Sequence, residues 1–126
     1  MSAYLRVSEV LAVHRVMIDL YGGLYGIRDP GALESAVNRP HNGYYAGVEE
    51  EAAALLHSLL FNHPFVDGNK RAAFAACDVF LRLRGRMICG NTAKLHQLVM
   101  DWIAASPAER FTRICADVRG VIYDVP

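Results

Sequence analysis

Between Ala72 and Leu81 every residue is apolar except Asp78. A helix apolar nearly all round has no solvent face, so it must be enclosed by other elements. This places a helix from about Asn69 to Arg84 at the centre of the fold. Directly before it stands His63-Pro64-Phe65-Val66-Asp67-Gly68-Asn69-Lys70-Arg71. Pro64 disfavours helical geometry at the residue before it, and Gly68 and Asn69 suit a helix start better than an interior. The reading is a loop carrying His63 and Asp67 that turns into the buried helix at about Asn69. A helix start leaves N–H groups unpaired and carries partial positive charge, so that end favours an anion such as phosphate.

The remaining segments supply the enclosure. Ser8 is placed as the cap of a first helix with Val10, Val13, Met17 and Leu20 on one face, stopped by Gly22-Gly23. His14 beside that stripe reads as a core or boundary histidine. Asp29-Pro30 opens a short second helix that Pro40 ends. Glu49 to Glu51 open a third helix, closing near Asn62. A fifth runs from about Thr92 to Ala104, with Leu95, Leu98, Val99, Trp102 and Ile103 inward. Ser106 and Glu109 have capping-box spacing before a last helix that frays after Gly120. The expected class is all-α, about six helices around the buried one, in a single domain over residues 1–126.

One stretch breaks the helical pattern. Asn42-Gly43, flanked by Tyr44 and Tyr45, has the signature of a two-residue hairpin turn. It is either a surface loop or a small β-hairpin flap whose edge pairs with a target peptide.

Composition excludes several classes. The chain has 126 residues, 53% of them hydrophobic and 21% charged, which describes a globular domain. Thirteen basic and thirteen acidic residues cancel, which argues against a nucleic-acid partner held by phosphate neutralisation. No apolar run is long enough for a membrane span, and no secretory pattern opens the chain. Cys77, Cys89 and Cys115 lack metal-ligand spacing and are expected as reduced thiols in the cytoplasm.

The central loop holds the chemistry. His63 is a candidate general base, because a neutral imidazole accepts a proton near neutral pH. Asp67 is a lone carboxylate, an arrangement that suits Mg2+ completed by substrate phosphates and water. Backbone N–H groups after Gly68 can hold phosphate oxygens, and Asn69, Lys70 and Arg71 add donors and charge. Each residue has a plainer reading alone: His63 structural, Asp67 a cap, Lys70 and Arg71 solvated, Phe65 a core anchor. Their coincidence within nine residues favours phosphoryl or nucleotidyl transfer.

The stretch resembles the signature of the Fic/Doc superfamily, His-x-Phe-x-Asp/Glu-Gly-Asn-Gly-Arg-x-x-Arg. His63, Phe65, Asp67, Gly68, Asn69 and Arg71 match it. Tyr21-Gly22-Gly23, Gly26 to Gly31 and Leu33 to Ala36 are similar to the death-on-curing (Doc) toxin branch. The resemblance implies the Fic fold, His63 as catalytic base, Asp67 on Mg2+, and Gly68, Asn69 and Arg71 around nucleotide phosphates. It implies Phe65 as the loop anchor and Asn42, Gly43, Tyr44 and Tyr45 as the target-docking flap. Lys70 replaces the glycine of adenylylating members and Phe74 their second arginine, a bidentate partner that phenylalanine cannot mimic. Lysine at this position is typical of the Doc branch, implying ATP bound in reverse and γ-phosphate passed to a threonine of elongation factor Tu. An AMP-transferase that tolerates Lys70, and a binding module without catalysis, are the alternatives. Self-inhibited members carry Ser/Thr-x-x-x-Glu; no Ser or Thr here has a glutamate four residues on. The resemblance therefore implies inhibition by an antitoxin whose C-terminal segment folds on this domain.

Overall fold

The computed structural model describes residues 4–126. Six α-helices follow in order: α1 (Val7–Tyr21), α2 (Pro30–Asn38), α3 (Val48–Phe61), α4 (Asn69–Arg82), α5 (Thr92–Ala104) and α6 (Pro107–Arg119). A 3-10 turn, Arg39–His41, follows α2. Two three-residue strands, β1 (Arg86–Ile88) and β2 (Ile122–Asp124), pair antiparallel, with Arg86 opposite Asp124 and Ile88 opposite Ile122. The class is all-α, as the apolar run required.

Two helices share the centre. In α4, Ala72, Ala73, Ala76, Cys77, Phe80 and Leu81 are buried. In α3 eight residues are buried, including Leu55, Leu56, Leu59 and Leu60. Alanines along both helices let the two backbones approach closely, and larger side chains such as Phe65, Phe80 and Trp102 fill the space around them. Burial pushes the Cys77 thiol up from its ordinary value, so it stays protonated and inert.

Several local expectations are corrected. Arg6, not Ser8, is the N-cap of α1: its backbone is extended, and the Glu9 carboxylate accepts its N–H at 2.9 Å. The capping box at Ser106 does not form; the Ser106 carbonyl accepts the Glu109 N–H while Glu109 lies near Arg113. Residues after Gly120 do not fray. They form β2, and the Arg86–Asp124 ion pair at 3.0 Å spans the two strands. Ile103 is half-exposed and Leu95 only partly buried, because α5 packs inward mainly through Val99 and Trp102. Asp78 pairs with Arg82 at 2.8 Å and accepts the Ile88 N–H, tying α4 to β1.

The hairpin at Asn42-Gly43 is also absent. A type I′ turn needs both central residues at positive φ. Gly43 has φ 89°, but Asn42 sits at φ −84°, ψ 1°, continuing the 3-10 turn before it. No strand forms among residues 42–47. Tyr44 is exposed, whereas the Tyr45 hydroxyl accepts from Arg39 Nε at 2.6 Å.

Arg39 is the hub of that region. It also donates to His57 Nδ1 at 2.8 Å and to the Ser58 hydroxyl at 2.9 Å, and lies over the Phe111 ring. Burial first, and then the Arg39 and Arg110 charges, push the His57 imidazole down to about 4. The unfolded chain protonates His57 near 6.5, so the unfolded state binds the extra proton between about pH 6.5 and 4. Stability from this group is complete above pH 6.5 and is lost as pH falls toward 4. His57 is only partly buried, so the effect is discounted to on the order of 1 kcal/mol. Urea unfolding at pH 7 and pH 4.5 is expected to show a smaller acid loss in His57→Gln. Equal losses in both proteins would remove His57 as the cause.

Candidate functional site

The loop between α3 and α4 is built by segments far from it in sequence. His63 stands at φ 45°, the only non-glycine residue at positive φ among the described residues. Pro64 and Phe65 are buried, while His63, Val66 and Asp67 are exposed. The Phe65 ring stacks on His14 of α1, with centroids 3.8 Å apart and planes 5° from parallel. His14 Nε2 lies 2.8 Å from the Asp67 carbonyl oxygen, so as the Nε2–H tautomer it donates there. The buried histidine expected in α1 thus holds both ends of the Phe65–Asp67 turn.

The segment joining α1 to α2 runs alongside. Ile27 bridges Phe65 antiparallel, Val66 N–H donates to the Gly26 carbonyl, and Leu24 N–H donates to Asp67 Oδ2 at 3.1 Å. Asp67 Oδ1 accepts the Gly68 N–H at 2.8 Å. A Cβ on Gly23 would lie 2.8 Å from Asp67 Oδ2, so glycine there gives the carboxylate its room. A Cβ on Gly68 would meet Ile18 at 3.0 Å, and its φ of 72° reverses the chain into α4.

The first turn of α4 is the candidate anion cradle. No side chain caps this end, leaving the Asn69, Lys70 and Arg71 N–H groups without helical partners. Asn69 does not point its amide at that space. Its Oδ1 accepts the Phe65 N–H and its Nδ2 donates to the Phe65 carbonyl, both at 2.9 Å. The side chain expected to touch phosphate therefore braces the loop. Lys70 Nζ donates to His96 Nδ1 of α5 at 2.9 Å, and the Arg71 guanidinium lies 4.6 Å over the Tyr21 ring. Neither cation has a carboxylate partner among the described residues, which leaves both charges available to an anion.

From Lys70 and Arg71 a groove of about 740 Å³ extends between α1, α4 and α5, past Met17, Phe74 and Leu95. Phe74 packs on Trp102 with ring centroids 6.3 Å apart. Tyr45 faces Arg39 and Phe111, and no hydrogen bond joins the Asn42–Tyr45 segment to the His63 loop among the described residues.

Three contributors were not assigned to the site from sequence: His14, read there as a core or boundary residue, the Gly23–Leu24 contact with Asp67, and Arg28, whose side chain donates to the Asn62 and His63 carbonyls. The glycines at 22, 23 and 26 and the Arg28-Asp29-Pro30 run were the available signals.

No group of three or more His, Cys, Asp or Glu side chains capable of holding a metal occurs among the described residues. Asp67 alone could contribute to a cation held chiefly by the oxygens of a phosphorylated ligand. No helix among the described residues is long and apolar enough to cross a membrane.

Fold and loop together define a helical domain that presents a histidine and a carboxylate at an uncapped, cationic helix start. The sequence model of the Fic/DOC family matches residues 4–81. The chain belongs to the Fic/DOC family. It is 43% identical over 97 residues to a protein of Mycolicibacterium smegmatis named Toxin Doc, covering 72% of each chain. It is 34% identical over 82 residues to Protein kinase doc of Escherichia phage P1, covering 62% of this chain and 65% of that one.

Proposed function

We propose that this protein is a Doc-type toxin that transfers the γ-phosphate of Mg2+-ATP to a protein hydroxyl. The observation that carries the choice is Phe74. Its ring packs on Trp102, so the position where adenylylating members keep a phosphate-binding arginine is part of an apolar wall. With Lys70 in place of glycine, the cradle keeps two cations at its mouth and none further along α4 until Arg82. The kinase name of the phage relative supports the same reaction.

In this reading the His63 imidazole, exposed and without a hydrogen-bond partner among the described residues, takes the proton of the acceptor hydroxyl. The α4 N–H groups, Lys70 and Arg71 hold and orient phosphate oxygens. Gly68 keeps the turn open, and Asn69 acts through Phe65 rather than on the nucleotide. Asp67 would hold Mg2+, which when bound neutralises phosphate charge. The acceptor implied by the family resemblance is a threonine of elongation factor Tu, with arrest of translation as the outcome. The Asn42–Tyr45 segment would dock it through the exposed Tyr44, as a loop rather than an added strand.

The inhibitor is an antitoxin, in keeping with the toxin name of the mycobacterial relative. Its C-terminal segment would fold as a helix in the groove between α1, α4 and α5, which is lined by Met17, Phe74, Ile88 and Leu95 and opens beside Lys70.

The test supplies ATP labelled at either the α- or the γ-phosphate together with elongation factor Tu. Label should pass to protein from the γ position alone, and Lys70→Gly should lower that transfer. Passage from the α position alone would replace the kinase by an AMP-transferase. No passage from either would make the domain a binding module.

A further inference from the structure

A general base needs a fixed direction as well as a suitable pKa, and in many sites a carboxylate on its second nitrogen provides it. Here the His63 imidazole has no such partner among the described residues, and its side chain is exposed. Its direction is set by its backbone alone, which occupies the left-handed region at φ 45°. A histidine rests there only when its surroundings demand it.

Pro64 disfavours the right-handed helical region at the residue before it, and contacts from Arg28 bear on what remains. Helix α3 ends at Phe61, and its final carbonyls point out of the helix with no intrahelical partner. Arg28 Nη2 donates to the Asn62 carbonyl at 2.7 Å, and Nε donates to the His63 carbonyl at 2.6 Å. The next carbonyl, that of Pro64, accepts the backbone N–H groups of Arg28 and Asp29 at 2.8 and 3.1 Å. Three consecutive carbonyls are therefore held by one short segment, two of them by one guanidinium. A planar fork bonding two acceptors in fixed geometry is something lysine cannot reproduce. The positive charge also lies at the negative end of α3, where it is favoured.

We infer that Arg28 is the positioning residue for the catalytic base: it holds the His63 backbone in the left-handed conformation that aims the imidazole. It touches neither nucleotide nor acceptor. This rests on His63 being the base proposed above. Losing the fork lets His63 relax to ordinary φ and swing its ring away, while the α4 cradle, braced independently by Asn69 and His14, keeps its shape.

The test compares wild-type protein with Arg28→Ala and Arg28→Lys in two measurements. One is the amide–Hα coupling and Cα chemical shift of His63, which report its φ without needing turnover. The other is steady-state γ-phosphate transfer. Arg28→Ala should move the His63 signals to the extended, negative-φ values that a residue before proline favours, and lower kcat about 100-fold. The KM for ATP should stay within about twofold, since the cradle is untouched. Arg28→Lys, keeping one donor and the charge, should recover part of kcat. Unchanged His63 signals in a folded Arg28→Ala protein would overturn the inference, as would a loss appearing only in KM. If the His63 signals move as expected but wild-type protein transfers no label, the conformational role of Arg28 stands and the base assignment falls.

Discussion

Replacing His63 with alanine is expected to lower phosphate transfer by about 100- to 10,000-fold, the usual contribution of a positioned general base. The folded protein should hardly notice. The imidazole is exposed and has no hydrogen-bond partner among the described residues, so little packing is lost. Alanine meets the same backbone restriction at φ 45° that histidine does, which keeps the stability change within about 0.5 kcal/mol. Transfer of γ-label and the urea midpoint, measured on one preparation, separate the two effects. An active His63→Ala protein would remove His63 from the chemistry. Asp67→Ala is less clean, because Asp67 also accepts the Leu24 and Gly68 N–H groups and its loss costs about 1 kcal/mol per bond.

The second large effect lies at a glycine with no functional group. Gly23→Ala places a Cβ 2.8 Å from Asp67 Oδ2 and 3.0 Å from Ile18 Cδ1, at a φ of 118° that side-chain-bearing residues rarely adopt. Backbone strain of about 1–3 kcal/mol is expected. The clash adds displacement of the carboxylate, and a shift of about 1 Å near reacting groups costs about 100-fold in rate. Gly22→Ala is the control. It too stands at positive φ, 87°, but an added Cβ meets nothing within 4 Å. Both variants should lose thermal stability, and only Gly23→Ala should also lose transfer. Equal rates in the two would show that Asp67 does not depend on the space Gly23 leaves.

These two experiments mark the boundary of what could be read from the chain. His63, Asp67 and the α4 start were visible because they are contiguous and stand against an apolar run whose burial is unavoidable. The start of α4 at Asn69 and both ends of α5 follow from local rules of the same kind. The hydrogen bonds of the Asn69 side chain did not. An amide at a helix start can face a ligand or its own loop with equal chemical ease, and only the position of the Phe65 backbone decides.

Other misreadings have related causes. Asn42-Gly43 looks like a hairpin turn in isolation, but two flanking tyrosines do not make a ladder. The preceding 3-10 turn sets Asn42 at negative φ, and Arg39 holds Tyr45 toward α3 and α6. The β1–β2 pair joins three-residue segments more than thirty positions apart, too short to show any period.

By itself, then, the sequence determined an all-α fold around a buried helix, and an anion-favouring start to that helix beside a histidine and a carboxylate. Both follow from periodicity, backbone propensity and adjacency, which are local. The tertiary structure alone decided how that loop is held: His14 beneath it, Gly23 and Leu24 against Asp67, and Arg28 across the end of α3. Hydrogen bonds between residues 34 to 53 positions apart leave no mark on the spacing of side chains along the chain. They form only because packing α1 against α4 brings the α1–α2 segment to the same edge as the loop.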